Sequence, residues 1–177
     1  LRELRHERPD KPFLLYLAYN APHSPLQAKK VDLRKYHGRY DRGWDLVRSE
    51  RLARQKALGL VPKDAQLSPR DPAVPAWEDL PADSRALFAR HMEVYAAMLD
   101  CVDQNVGRFM AQLTELGELD DTIIVFASDN GGTGAGGANG EVFSGRRFAG
   151  TDSSKVAVDF ARLEWIGTDR AAPLYPT

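Results

Sequence analysis

TIIVFASDNGGTGAGG, residues 122–137, is an apolar run that stops at Ser128, Asp129 and Asn130 and then dissolves into glycine. Five consecutive apolar positions, 123–127, led by β-branched side chains, predict a strand buried on both faces, as in a parallel sheet. In open α/β sheets ligands collect just beyond the carboxyl ends of strands, where loops present polar groups on a rigid base. Asp129 and Asn130 stand at that point. A carboxylate next to an amide carbonyl is a pair of hard oxygen donors of the type Ca²⁺ or Mg²⁺ takes, and glycines behind them let backbone approach a ligand closely. The same Asp-Asn-Gly run also composes an ordinary turn that merely caps a strand. The residues themselves leave both readings open.

Immediately upstream, Leu87, Phe88, Met92, Tyr95, Met98, Leu99, Val102, Val106, Phe109, Met110 and Leu113 recur at intervals of three and four. That is one apolar helix face, and it predicts a helix from 81 or 83 to about 116, with Gly117 as its stop. Helix, short turn, buried strand is a βαβ-type unit, so the class is α/β. Within the helix Cys101 reads as a buried, inert thiol, and Glu93, Asp100 and Asp103 as surface or helix-end hydrogen bonders. A second apolar stretch, FLLYLAY at 13–19, has the length of another buried strand and also ends in a polar loop, NAPHSP at 20–25. Pro22 and Pro25 flank His23 and Ser24 and stiffen the backbone, which would hold an imidazole in place at low entropic cost. A plain surface histidine in a proline-rich turn is the other reading.

Farther out the chain is less informative. Residues 1–11 read as the end of a helix. From 31 to 75 it turns polar and basic, and aromatics interleave with cations at Lys35, Tyr36, His37, Arg39, Tyr40, Arg42 and Trp44. That composition could suit single-stranded nucleic acid. Asp32, Asp41, Asp45 and Glu50 are mixed in, which favours a solvated surface excursion. Residues 45–58 fit a short amphipathic helix ended by Gly59. The next stretch, 61–77, holds four prolines and predicts a long irregular surface segment. Residues 139–150 are loop-like, with Arg146 and Arg147 as anion contacts or plain surface, and 155–165 fit a short strand or helix equally well.

The 177 residues suffice for one domain with a real core, and 43% hydrophobic with 28% charged content is ordinary for a globular protein. A net charge of −1 supplies no overall field for nucleic acid or an anionic membrane. With Cys101 as its one cysteine the chain forms no internal disulfide. No apolar run is long enough for a membrane span, and the charged start carries no signal-peptide apolar region. The first residue is Leu, which suggests a beginning upstream. The glycine-rich run lacks the GKS or GKT of a phosphate-binding loop and opens no helix of the dinucleotide-binding kind. Neither HExxH nor GxSxG occurs.

Three stretches, PFLLYLAYNAPHSPLQA, KYHGRYDRGWDLVRSERLARQKALGLVPKDAQLSPRD and HMEVYAAMLDCVDQNVGRFMAQLTELGELDDTIIVFASDNGG, together closely resemble the middle of an arylsulfatase of the formylglycine-dependent type. The likeness runs from about residue 12 to 132, and the GWDLVR and SDNG segments at this spacing make it specific. The resemblance implies an alkaline-phosphatase-like α/β fold with a mixed sheet flanked by helices. It implies that Asp129 and Asn130 are two ligands of an active-site Ca²⁺, and that His23 hydrogen-bonds the sulfate or leaving-group oxygen. It further implies a sulfate-ester hydrolase acting on small-molecule or glycan sulfates, in a periplasmic, secreted or lysosomal setting. The family's nucleophile is made from Cys or Ser in CxPxR or SxPxR; neither occurs here, and DCVDQ around Cys101 does not match. The family's paired aspartates and GKWHLG-like segment are also absent, and the surroundings of Lys155 do not fit its sulfate-binding lysine. The expectation is therefore an internal portion of a sulfatase catalytic domain, without turnover by itself. A phosphoester hydrolase of the same superfamily and a catalytically inactive binding remnant are the alternatives.

Overall fold

The computed structural model describes residues 1–132 and 160–170. The glycines at 133–137, the 139–150 segment with Arg146 and Arg147, and residues 155–159 including Lys155 lie outside the described residues. The described chain forms four helices, α1 (Arg2–Glu7), α2 (Lys30–Tyr36), α3 (Trp44–Ala57) and α4 (Ala82–Glu115), with single 3₁₀ turns at Trp77–Asp79 and Leu163–Trp165.

Helix α4 organises the rest. Its three-and-four spacing buries Leu87, Phe88, Val94, Ala97, Met98, Val102 and Leu113. Leu26, Leu33, Trp77 and Ile166 pack into the same core from other parts of the chain. Each large apolar side chain removed from water stabilises by about 1.5–3 kcal/mol, so α4 is held by the face it buries more than by its helix propensity. Both long helices end as their glycines predict. At α4, Gly117 has φ +71 and donates to Thr114, while the Glu118 N–H reaches the Leu113 carbonyl at 2.9 Å. At α3, Gly59 has φ +70, with N–H bonds from Gly59 to Lys56 and from Leu60 to Gln55. This paired closure satisfies carbonyls the helix leaves open, and it needs a left-handed residue.

The proline-rich segment is laid over α3 rather than left loose. The Trp77 N–H donates to Asp45 Oδ2 at 3.0 Å, Arg70 donates to Asp45 Oδ1 at 2.8 Å, and Arg48 donates to the Ser68 hydroxyl and carbonyl. Trp77 thereby reaches the core, where it meets Trp44 edge-on at 4.9 Å, and Trp44 in turn packs against Phe88. Gly43 makes room for it: a Cβ there would lie 2.1 Å from the Trp77 ring.

Two expectations need correction. Residues 13–19 and 123–127 are neither strands nor buried: Leu14 is 97% exposed, Ile123 92% and Val125 83%. Among the described residues the β-pairing is a single parallel bridge, Gln27 to Gly167, and these residues carry no strand of the expected mixed sheet. A strand needs a neighbour for its backbone groups, so an apolar run without one stays in solvent whatever its composition. Two smaller corrections lie on α4. Glu93 is buried instead of superficial, and Cys101 is half-buried, with its Sγ 3.8 Å from the Asn105 amide.

Candidate functional site

His23 sits in a braced turn. Both flanking prolines follow cis peptide bonds, Ala21–Pro22 and Ser24–Pro25, and the His23 N–H donates to the Asn20 carbonyl at 2.8 Å. Just beyond, Leu26 is fully buried, and the Ala28 N–H donates to the Gly167 carbonyl, so the loop leaves its turn directly into the core. The imidazole is exposed, with Nδ1 2.6 Å from the Ser24 carbonyl. A carbonyl can only accept, so this bond requires the proton on Nδ1. In the neutral ring Nε2 is then an acceptor, and in the imidazolium it is a donor.

Asp129 and Asn130 occupy an exposed turn with its own hydrogen bonds. The Asn130 N–H donates to Asp129 Oδ1 at 3.0 Å, the Ser128 hydroxyl donates to the Asn130 carbonyl at 2.6 Å, and Asn130 Nδ2 donates to the Gly131 carbonyl at 2.7 Å. The last bond fixes the amide so that its nitrogen is occupied and Oδ1 is the open atom. Among the described residues Asp129 Oδ2 and Asn130 Oδ1 accept no hydrogen bond, which leaves two hard oxygens on adjacent residues, a donor set suited to a cation such as Ca²⁺, which takes six to eight such ligands. Two donors are a fraction of that shell. Among the described residues no group of three or more His, Cys, Asp or Glu is assembled for a metal. The hydrogen bonds described for His23, Asp129 and Asn130 each stay within their own turn, so none joins the histidine to the acid and amide.

Sequence reasoning missed the polar network that seats α2 on α4. Asp32, 2% exposed, accepts from Lys35 Nζ at 2.9 Å and from Gln104 Nε2 at 2.8 Å. The same ammonium and the same amide reach Asp100, at 2.9 and 2.7 Å. Hydrogen bonds from Lys35 and Gln104 hold the Asp32 carboxyl below the usual range against the opposing effect of burial. Gln104 and then Lys35 do the same for Asp100, and the two carboxylates raise Lys35. Farther toward the start of α4, buried Glu93 accepts from the Gly38 N–H and from Arg90, whose other nitrogen reaches the Ile166 carbonyl. The only local sign of this network was pair spacing: Asp32 with Lys35 at three, Asp100 with Gln104 at four.

A protein-family model for sulfatases matches residues 1–160. The chain is 42% identical over 134 residues to an uncharacterized sulfatase of Schizosaccharomyces pombe, covering 75% of this chain and 24% of that protein. It is 37% identical over 128 residues to an arylsulfatase of Klebsiella aerogenes, covering 72% of this chain and 27% of that protein. It is also 32% identical over 88 residues to an N-acetylglucosamine-6-O-sulfatase of Bacteroides thetaiotaomicron, covering 50% of this chain and 12% of that protein. The chain belongs to the sulfatase family, and membership implies an alkaline-phosphatase-like α/β fold. It spans about a quarter of the length of the first two relatives.

Proposed function

We propose that residues 1–177 are a portion of the catalytic domain of a sulfate-ester hydrolase, with the mixed sheet of its superfamily completed around 13–19 and 123–127. Asp129 and Asn130 supply two ligands to Ca²⁺, and His23 hydrogen-bonds the sulfate or the leaving oxygen. The substrate is a sulfate monoester, with sulfated glycans included on the strength of the name of the Bacteroides relative. The nucleophile is a formylglycine contributed from outside these residues, since CxPxR and SxPxR are absent from them. When bound, Ca²⁺ offsets the sulfate charge and polarises its S–O bonds.

The observation that carries the reading is the Asn130 amide. With Nδ2 held by the Gly131 carbonyl, its oxygen has no partner among the described residues and stands next to a carboxylate with one oxygen likewise open among them. His23 fits its role through its fixed tautomer: with the proton held on Nδ1, protonation adds a donor at Nε2, and that donor can stabilise negative charge developing on a departing alcohol. The backbone bond to Asn20 and the buried Leu26 keep the ring's base from wandering.

The test is calorimetric Ca²⁺ titration and aryl sulfate turnover in the full-length protein. Asp129→Ala and Asn130→Ala are expected to weaken Ca²⁺ binding by about tenfold or more. His23→Ala is expected to leave Ca²⁺ binding intact while lowering kcat by about a hundredfold to ten-thousandfold. Ca²⁺ affinity unchanged in both turn variants would overturn the metal assignment.

A further inference from the structure

Residues 29–56 hold ten Lys and Arg against four Asp and Glu, a local charge of +6, in a chain whose total is −1. The excess is visible in the sequence; the structure shows where the acids go, and among the described residues only Asp41 stays exposed in the corner without a cation partner. Asp32 is buried, and Asp45 is taken up by Arg70 and the Trp77 N–H. Glu50 is held by Arg42 at 2.6 Å, a contact that also draws the 38–43 corner onto α3. Among the described residues eight of the ten cations have no carboxylate partner, Lys35 and Arg42 being the two that do.

The corner brings several of these cations together. Arg39 lies over the Tyr36 ring at 5.4 Å. Arg51 follows Glu50 on α3, and Arg54 is one turn farther along the same exposed helix. Tyr40, half-buried, lies between Arg39 and Arg42 in this corner, and the Arg42–Glu50 contact seats the corner beside Arg51, the next residue of α3. Fixed cations carried on a helix and a pinned corner, beside a phenol able to hydrogen-bond, suit a ligand that brings several anionic groups at once.

We propose that Arg39, Tyr40, Arg51 and Arg54 form a polyanion-binding surface, separate from the His23 and Asp129 turns, whose ligand is a sulfated polysaccharide chain. The choice of a sulfated polymer over other polyanions rests on the sulfate-ester hydrolase reading. Such a surface would hold a long substrate by sulfates that are not being cleaved, and it would favour polymers over small esters through effective concentration.

The experiment measures binding of the full-length protein to immobilised dextran sulfate, with unsulfated dextran as blank and poly(U) as competitor. The protein is expected to bind dextran sulfate and not dextran, with affinity falling as salt rises. The double variant Arg51→Gln, Arg54→Gln is expected to bind about threefold to tenfold more weakly, the effect of losing two exposed charge contacts. Arg51→Lys with Arg54→Lys is expected to restore most of that loss. Arg108→Gln, which removes a charge from exposed α4 surface, is expected to match the parent. Parent-like binding by the double Gln variant, or an equal loss in Arg108→Gln, would overturn the surface. Stronger binding of poly(U) than of dextran sulfate at equal anion concentration would overturn the ligand in favour of nucleic acid. Binding is read without turnover, so a protein that retains dextran sulfate but hydrolyses no sulfate ester supports this surface and counts against the hydrolase reading alone.

Discussion

Gly43 and Asp45 between them decide where Trp77 goes, and each acts through a different atom. Gly43 has φ +81 and leaves its Cβ position to the indole, so Gly43→Ala combines backbone strain with a direct overlap. The expected cost is about 2–5 kcal/mol, read from the urea midpoint. Gly117 offers the contrast: it has the same sign of φ, but a methyl group added there would meet nothing within 4 Å, so Gly117→Ala should cost about 1 kcal/mol from backbone strain alone. Equal losses at the two sites would refute the claim that the indole needs the space. Asp45→Ala strips an acceptor from the Trp77 N–H and a partner from Arg70, and is expected to cost about 1–3 kcal/mol. Trp77 fluorescence should shift to the red in that variant if the indole leaves the core; an unchanged spectrum and midpoint would show that Asp45 does not pin it. Neither role was legible beforehand, because a glycine and an aspartate at a helix start fit many turns.

Between elements, the seam of α2 on α4 should give the stability a defined pH window. Asp32 and Asp100 have folded pKa values below the ordinary carboxylate value of about 4. Their contribution is therefore complete above that value and is lost as pH falls through the lowered folded one. Lys35 is shifted upward, so its contribution is complete below the ordinary lysine value of about 10.4 and is lost as pH rises past the raised one. Stability from this seam should be flat between those limits. Lys35→Met removes the shared cation and lets both folded carboxyl pKa values rise toward the ordinary one, so the variant should be less stable near neutral pH and lose less of its stability in acid than the parent, measured by urea unfolding between pH 3 and 8. Superimposable acid limbs would count against the network. The helices themselves were readable: α3 and α4 begin and end within a residue or two of their expected bounds, since spacing and a terminal glycine are local signals. Helix α2 was not, because seven residues carry too little periodicity and its place is set by Leu33 and Asp32 meeting the core and α4.

For the whole molecule, the two apolar runs stand apart from everything else. Leu14, Tyr16, Ile123, Val125 and Phe126 are all more than three-quarters exposed, which makes 13–19 and 123–127 sticky surfaces in the 177-residue chain. That chain should bind a hydrophobic fluorescent dye in its folded state. Leu14→Ser with Val125→Ser should reduce the signal while shifting stability by no more than about 0.5 kcal/mol. A large loss of stability instead would mean that these side chains are packed. The sequence by itself determined the long helices, their glycine ends and the family, because each depends on spacing along the chain. Tertiary structure alone decided that the apolar runs lie outside the core, that Asp32 is buried beneath α2, and which cations of the basic 29–56 stretch have no carboxylate partner among the described residues. Burial and pairing join residues far apart in the chain, so an apolar run does not reveal whether a neighbour covers it, nor an aspartate whether its charge faces water.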